Sequence, residues 1–223
     1  MTDDAIPVDY DAIKNLVSIF DVDKKVGCAY GRQLPRKNTA VLEAHARLFN
    51  YKHESLMFSY EDRKKYGIKT CFNSNSFAAY RKEALLEVGG FPQHIVIGED
   101  MYVAAKMLMQ GWKVAYRADA KVYHSHNYSF TQEFKRYFDI GVFHHENLWI
   151  LENFSAAYGE GLKYVRSEIK HCFAQHAYLC LFKSLAHLCA KFLGYNLGKH
   201  YKLFAPKIRK KFSMSSNYWN VVK

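Results

Sequence analysis

The sequence has few of the features that mark secreted, membrane-spanning or disulfide-stabilised proteins. Its five cysteines form no CxxC pair and no Cys/His spacing typical of zinc sites, which predicts reduced thiols. The opening residues, MTDDAIPVDYD, are acidic where a secretory leader needs basic and apolar segments. The longest apolar candidate span, residues 172–193, is interrupted by Gln175, His176 and Lys183. These absences predict a cytoplasmic protein without a membrane-spanning helix.

Acidic residues are almost absent from the last part of the chain. Residues 161–223 hold twelve Lys or Arg and one acid, Glu168, whereas the first 160 residues hold 20 bases and 20 acids. The formal charge of +11 therefore belongs to the C-terminal part. Nucleic-acid binding is an alternative function that this charge suggests, but the neutral first part carries no recognisable base-reading motif. The sequence predicts no nucleic-acid partner.

The residues that are abundant predict a globular core and a layered fold. Hydrophobic residues make up 49% and aromatic residues 16% of the chain. Apolar periodicity predicts helices and strands in alternation over the first 130 residues, which favours an α/β fold. The predicted elements are a helix over 10–20, a strand over 26–34, a helix from Val41 to Phe49, a charged loop over 61–65, the strand SFAAY, and the helices RKEALLEV and EDMYVAAKMLMQGW, followed by the strand KVAYRADAKVYHSH.

Beyond residue 131 the pattern is almost entirely helical. One helix is predicted over residues 132–154 and a longer one over residues 161–195. Basic residues alternate there with an apolar stripe, which is either a packing face or, with the segment KHYKLFAPKIRKKF, a surface for anionic membranes. The stripe consists of Phe173, Tyr178, Leu181, Leu185, Leu188 and Phe192.

Two adjacent carboxylates, Glu99 and Asp100, follow Gly98 and begin a predicted helix. Taken alone, acids at this position are explained by their favourable interaction with the helix dipole and with the free N–H groups of the first turn. The segments around them suggest more, because several other motifs occur in a fixed order on both sides.

This order of motifs resembles the family 2 glycosyltransferases, which have the GT-A fold and transfer a sugar from a nucleotide diphosphate carrier. The matching segments are SNSFAAYRKEALLEVGGFP, GEDMYVAAKMLMQGWKVAY and ADAKVYH, and the resemblance covers about residues 1–145. Within the family the chain is similar to rhamnosyltransferases of O-antigen and polysaccharide assembly, through the segments TDDAIP, HSHNYS and RYFDIGVFH. The resemblance implies dTDP-rhamnose as donor, a lipid-linked saccharide as acceptor, and a position on the inner face of the cell membrane.

The resemblance also assigns roles to the carboxylate pair. An inverting transfer needs a carboxylate that deprotonates the attacking hydroxyl of the acceptor, and the resemblance gives this role to Asp100. Glu99 is predicted to orient the loop or the acceptor.

A divalent cation, Mg²⁺ or Mn²⁺, is implied at the diphosphate of the donor. Asp4 lies where the family has its metal-binding aspartate, and Asp3 replaces a glutamine, which leaves open which of the two is the primary ligand. His124 is the further candidate ligand and is ranked above His126, although a single histidine at a strand end is often structural.

Four polar residues before the SFAAY strand, Asn73, Ser74, Asn75 and Ser76, form either an ordinary turn or a loop that binds the donor sugar. Arg136 is related, by a partial pattern, to an arginine that contacts the diphosphate in processive relatives.

The segment TDDAIP stands at the start of this chain, whereas the family places nucleotide-binding strands before it. We therefore expect a partial GT-A catalytic domain over residues 1–130, a helical region with a basic amphipathic tail over residues 131–223, and little activity of this chain alone. A non-catalytic, membrane-associated remnant is the other alternative.

Overall fold

A computed structural model describes residues 1–155 and 159–221. Five strands form one sheet: β1 (Ile6–Pro7), β2 (Val26–Leu34), β3 (Leu56–Phe58), β4 (Ala78–Tyr80) and β5 (Lys113–Tyr123). The helices are α1 (Ala12–Val17), α2 (Ile19–Val22), α3 (Val41–Asn50), α4 (Arg63–Tyr66), α5 (Lys82–Glu87), α6 (Glu99–Met109), α7 (Phe130–Glu146), α8 (Leu148–Phe154), α9 (Glu160–Ala174), α10 (Leu179–Lys199), α11 (Pro206–Phe212) and α12 (Tyr218–Val221). Short 3₁₀ turns occupy Tyr60–Asp62, Gly67–Cys71, Asn75–Phe77 and Tyr201–Leu203.

The two long strands, β2 and β5, lie side by side and parallel at the centre of the sheet. β4 pairs antiparallel with β2, while β1 and β3 pair antiparallel with β5, so the sheet is mixed. The register between β2 and β5 shifts after Gly31, where three residues of β5 have no partner. Because β2 and β5 run in the same direction, their carboxyl ends lie at one edge of the sheet, and this edge carries the site described below.

Apolar side chains cover both faces of the sheet. The larger core cluster packs α6, α7 and α8 against one face and includes Val103, Phe138, Ile150 and Trp219. The smaller cluster lies between the other face and α1. The chain segments before and after residue 130 therefore share one core, and the domain division at that residue stays a prediction.

Two helices predicted as continuous are each interrupted. The helix expected over residues 132–154 divides into α7 and α8 at Asn147, whose side-chain amide donates to the carbonyl oxygen of Phe143. The helix expected over residues 161–195 divides into α9 and α10. There His176 adopts a left-handed φ of 51°, and the N–H groups of His176 and Ala177 bond back to α9 as in a Schellman C-cap. Without a glycine or proline, the sequence carries no signal for this break.

The segment expected as a charged loop, residues 61–65, is also helical. It forms the short turn Tyr60–Asp62 and α4, because Ser59 and Asp62 make a reciprocal capping box that starts a helix.

Helices α7 and α10 approach each other closely through glycines. A Cβ at Gly198 would lie 2.0 Å from the carbonyl oxygen of Phe138, and one at Gly194 would lie 2.3 Å from that of Phe134. Only glycine allows this distance between the two backbones. Within residues 1–155 and 159–221, no helix is both long and apolar enough to cross a bilayer.

Candidate active site

Three side chains that could hold a metal ion meet where β2 and β5 end. His124 directly follows β5, and its N–H donates to the carbonyl oxygen of Leu34 at 2.9 Å. Its Nε2 lies 3.1 Å from Oδ2 of Asp4, and Nε2 of His126 lies 3.6 Å from the same oxygen. The ligand atoms of the three residues all lie within 4.8 Å of one another. We call Asp4, His124 and His126 the carboxylate–imidazole cluster.

Buried Gln33, which sequence reasoning did not single out, bonds the imidazole ring of His124. Its Nε2 donates to Ser74 Oγ at 2.7 Å, which leaves its Oε1 to accept from His124 Nδ1 at 2.9 Å. This orientation of the amide favours the tautomer of the neutral imidazole with its proton on Nδ1, in which the lone pair of Nε2 faces the carboxylate of Asp4. A polar residue between buried neighbours in a strand was the signal that could have pointed to Gln33.

The charge states in the cluster suit a cation. Burial lowers the pKa of His124 to about 4, so its imidazole is neutral at pH 7. A hydrogen bond from Thr2 lowers the pKa of Asp4 below its ordinary value, so this carboxylate is ionised. A lone pair and a carboxylate oxygen 3.1 Å apart repel each other unless a positive ion or a proton lies between them. Neutral imidazoles and an ionised carboxylate are the forms that bind metal ions.

Of the two predicted acids, the structure brings Asp4 and not Asp3 to the cluster. The side chain of Asp3 is exposed, and within the described part of the chain it does not join the group of three ligands. The backbone around Asp4 is held in place by neighbours: the N–H of Thr2 donates to the carbonyl oxygen of Ser76, and the Arg36 guanidinium donates to the carbonyl oxygen of Asp4.

The pair Glu99 and Asp100 begins α6, after Gly98 in a left-handed conformation with φ of 84°. The backbone N–H of Asn75 donates to Oδ2 of Asp100 at 3.1 Å, and the side-chain amide of Asn75 donates to Oε1 of Glu99 at 3.1 Å. Burial raises the pKa of Asp100, and the charge of Glu99 raises it further. Oδ1 of Asp100 also accepts from the N–H of Met101, so the capping interaction is present too.

Hydrogen bonds connect the loop before β4 to both sites. Ser74 accepts from Gln33, and its N–H donates to Oδ1 of Asn73. The amide of Asn73 donates to the Tyr80 hydroxyl, which donates to Oδ1 of Asn75. Through this loop, the carboxylate–imidazole cluster and the pair at α6 belong to one continuous hydrogen-bonded arrangement.

Three arginines surround the carboxylate–imidazole cluster. Arg136 lies 5.8 Å from the ring of Tyr128, which stacks on His126. Arg47 donates from Nε to the carbonyl oxygen of His124, and Arg36 donates from Nη2 to the carbonyl oxygen of Asp4. These contacts are to carbonyl oxygens and a ring rather than to carboxylates. Their positive charge is therefore available to an anionic ligand.

The comparison with known proteins follows the same segments. A model of the glycosyltransferase like family 2 matches residues 1–138, which span both the carboxylate–imidazole cluster and α6. The chain belongs to this family of glycosyltransferases. Family membership confirms the resemblance seen in the sequence motifs.

Two relatives of this glycosyltransferase match nearly its whole length. The O-antigen chain rhamnosyltransferase RfbN of Salmonella typhimurium is 49% identical over 220 residues, which are 99% of this chain and 69% of that protein. The O-antigen chain rhamnosyltransferase WbaN of Salmonella anatum is 47% identical with the same coverage.

A solved structure confirms the fold class. The mannosyltransferase PcManGT from Pyrobaculum calidifontis, in complex with GDP-Man and Mn²⁺, matches with a TM-score of 0.51 at 17% identity. The match covers 89% of this chain and 59% of that one. At this identity the similarity concerns the fold alone, and the roles of individual site residues stay predictions.

Proposed function

We propose that this glycosyltransferase moves rhamnose from dTDP-rhamnose to a lipid-linked saccharide of O-antigen biosynthesis, with inversion at the anomeric carbon. The observation that carries the proposal is the hydrogen-bonded loop that joins a buried carboxylate, Asp100, to a metal-type cluster at Asp4 and His124. The choice of rhamnose is supported by the two O-antigen chain rhamnosyltransferases that match this chain.

In the proposed reaction Asp100 is the general base. The acceptor hydroxyl attacks the anomeric carbon and gives its proton to Asp100, while the bond from that carbon to the diphosphate oxygen breaks and dTDP leaves. The raised pKa of Asp100 makes it a stronger base than an ordinary carboxylate, provided that it is ionised. Glu99 holds Asn75, and through it the position of Asp100.

The carboxylate–imidazole cluster would hold a divalent cation. Such an ion, when bound, neutralises the charge that develops on the departing diphosphate. Asp4 supplies a hard oxygen, and the two histidines supply neutral nitrogens. This mixed donor set favours Mn²⁺ over Mg²⁺, because Mg²⁺ prefers oxygen ligands. Arg136 is placed to share the charge of the diphosphate.

The loop before β4 would contact the donor sugar. Asn73, Ser74 and Asn75 are fixed by hydrogen bonds among themselves and with Tyr80, so their remaining polar atoms are already oriented. Ser76 supports the loop through its carbonyl oxygen.

We further propose that helices α9 and α10 bind an anionic membrane surface. The outward side of α10 exposes large apolar side chains, with Leu179 exposed by 79% and Phe182 by 77%. Helix α9, which precedes α10 in the chain, carries exposed bases, among them Lys163, Arg166 and Lys170. An apolar face flanked by bases suits the headgroup region of an anionic leaflet, where a lipid-linked acceptor would be found. The position on the inner face of the membrane follows from this proposal.

The first experiment is a calorimetric titration of the purified chain with dTDP-rhamnose, with and without Mn²⁺, and with UDP- and GDP-sugars as controls. We expect binding that needs Mn²⁺ and is selective for the dTDP-sugar. Equal or tighter binding of a GDP-sugar would refute the choice of donor. Transfer to a lipid-linked saccharide, measured by the mass of the product, then tests the acceptor class.

The membrane proposal has its own test. The chain should sediment with vesicles that contain anionic lipid, and less so as the salt concentration rises. Replacing Phe182 by Asp should weaken sedimentation, whereas Lys24→Ala, far along the chain in a surface ion pair, should not. Equal binding to neutral vesicles would argue against an electrostatic contribution.

A further inference from the structure

Arg32, on the central strand β2, is a buried positive charge that has no ionic partner among residues 1–155 and 159–221. Its residue is 6% exposed, and its Nε is buried without a hydrogen-bond acceptor in the part of the chain that the structure describes. Its Nη2 lies 3.2 Å from Nε2 of His53, which is itself exposed. The guanidinium therefore reaches from the interior towards the surface at His53.

A buried guanidinium without an anion is costly. Arginine does not lose its proton in proteins, so it cannot adapt to burial by becoming neutral. Removing an ion from water without a counter-charge costs several kcal/mol, as an order of magnitude. Within the described part of the chain no carboxylate forms an ion pair with Arg32, and the two groups found near it, Tyr116 and His53, do not supply a negative charge. An external anion would supply the negative charge that these groups do not.

The surroundings of Arg32 are ordered. The register shift between β2 and β5 falls directly before Arg32, and irregularities of this kind are frequent next to active sites. The loop that carries His53 is fastened to β5 at two points: the Tyr116 hydroxyl donates to the carbonyl oxygen of Lys52 at 2.6 Å, and Ser55 Oγ accepts from the N–H of Ala118 at 2.9 Å. His53 is thus held beside Arg32.

An aromatic cavity lies close to this pair, because its lining includes Tyr30, two residues before Arg32 on β2, and Lys52, the residue before His53. The cavity has a volume of about 190 Å³ and includes Tyr30, Phe72, Tyr116, Lys52 and Lys69 in its lining. Aromatic rings present flat apolar faces, and a sugar ring also has an apolar face that packs against them. Tyr30 and Tyr116, which line the cavity, belong to the same core cluster as Val103 of α6, the helix that begins with Glu99 and Asp100. The cavity and the proposed general base are therefore on the same side of the sheet.

We infer that Arg32 and His53 form an anion-binding subsite on the acceptor side, and that the aromatic cavity beside them takes a sugar ring of the acceptor. The inference rests on the proposed function, since it assigns the acceptor of that reaction a place. The anion is an oxyanion, either a phosphate of the lipid carrier or a carboxylate of an acidic sugar. Both chemistries fit a guanidinium fork.

The test is a titration of the folded chain, in EDTA, with inorganic phosphate and separately with glucuronate. Arg32→Met should weaken the binding of at least one of these anions about tenfold or more, because it removes charge-assisted hydrogen bonds. The matched control is Arg117→Met, since Arg117 on β5 already bonds both oxygens of Asp119. An Arg32-dependent loss for phosphate points to the lipid carrier, and one for glucuronate alone points to an acidic sugar.

Stability separates a ligand site from a structural role. If Arg32 is an anion-binding residue, Arg32→Met without ligand should unfold at the same or a higher temperature than the unsubstituted chain, because the substitution removes a buried charge that only the ligand pairs. Phosphate should then raise the unfolding temperature of the unsubstituted chain only. His53→Ala changes an exposed residue and should weaken anion binding about threefold, so it serves if Arg32→Met does not fold.

The inference would be overturned if Arg32→Met and His53→Ala both bind the anions as tightly as the control Arg117→Met does. If Arg32→Met does not fold, an unchanged anion affinity of His53→Ala would also overturn the inference. The titration with dTDP-rhamnose is interpreted separately. Arg32→Met should change the affinity for dTDP-rhamnose by no more than about twofold, since Arg32 and Gln33, which bonds His124 of the proposed metal site, point to opposite faces of β2. A chain that binds phosphate through Arg32 but no dTDP-sugar would refute the proposed donor and not the subsite.

Discussion

Two groups of charged side chains, one at the edge of the sheet and one among the helices, are built in opposite ways. Among the helices, Glu168 is bonded by Ser184 and lies 3.7 Å from His45, while Glu133 pairs with Lys191 at 3.5 Å. At the edge of the sheet, the carboxylate–imidazole cluster brings together a carboxylate and an imidazole lone pair that repel each other unless a cation or a proton lies between them, and Arg36 and Arg47 bond carbonyl oxygens beside it. In the helical group, both carboxylates have partners that the protein itself supplies. The sheet-edge group is complete only with ligands.

The contrast between the two groups indicates which charged side chains stabilise the fold and which bind ligands. A buried charge that the protein itself pairs contributes to stability only while all its partners are present, because an orphaned partner remains desolvated. A charge left unpaired lowers stability and is expected where a ligand will pair it. Substitutions in the helical group should therefore affect stability, and substitutions at the sheet edge should affect binding and activity.

The largest effect is expected at Asp100. Asp100→Asn keeps the size of the side chain and removes the base, so turnover should fall about 10²–10⁴-fold while the unfolding temperature changes little or rises. Activity of the unsubstituted chain should increase as the pH rises past the pKa of Asp100, which burial places above that of an ordinary carboxyl. Initial rates across pH 4–8 measure both. Glu99→Gln is the control and should lose less.

Glu168→Ala should give the sharpest contrast, a loss of stability without loss of function. Removing this buried carboxylate leaves Ser184 and His45 without their partner, at a cost of about 3 kcal/mol in the free energy of unfolding. Urea unfolding measures it, with exposed Glu152→Ala as control. Turnover per folded molecule should not change.

The pH dependence at Glu168 has a definite sign. Burial alone would raise the pKa of Glu168, but hydrogen bonds from His45, Ser184 and Tyr164 lower it below the ordinary value. The stability it contributes is thus present above the ordinary carboxyl pKa and is lost as the pH falls through the lower value of the folded state. A Glu168→Ala chain that loses as much stability on acidification as the unsubstituted chain would contradict this.

Packing between α7 and α10 should be intolerant of a single methyl group. Gly198→Ala places its Cβ against the Phe138 carbonyl oxygen, and the helices must move apart, at a cost of about 1–3 kcal/mol. The matched control is Gly161→Ala on α9, where the added carbon meets open space and the helix gains about 0.5–1 kcal/mol. Thermal unfolding compares the two, and equal effects would mean that the close approach is not needed.

A comparable or smaller effect concerns Gln33, which bonds the proposed metal ligand His124 but belongs to no group of proposed metal-binding atoms itself. Gln33→Met keeps the volume but no longer bonds the imidazole of His124, so Mn²⁺ affinity should fall about 10–100-fold. Electron paramagnetic resonance of free Mn²⁺ measures this without any assay of activity. Gln110→Met, at an exposed helix end, should leave the affinity unchanged. If both variants bind Mn²⁺ alike, Gln33 is not a positioning residue.

Much of the local structure could be predicted from the sequence. The strand over residues 26–34 was predicted with the bounds that β2 has, and α6 begins at Glu99 as expected. Membership of the family could also be predicted, because the family's motifs are contiguous and lie in order along the chain. The break before α10 could not be predicted, since its Schellman cap uses His176 where a glycine would be the usual signal.

The kinds of residue and much of their local geometry can be read from the sequence alone: the acids at the start of α6, the polar loop before β4, the apolar strands and the basic helices. Which of these residues meet depends on the tertiary structure. Asp4 and His124 are 120 positions apart, and the Nε of Arg32 lacks an acceptor within the described residues because of what packs around it. Such contacts depend on strand register and helix packing over the whole chain, and they leave no pattern within any short segment.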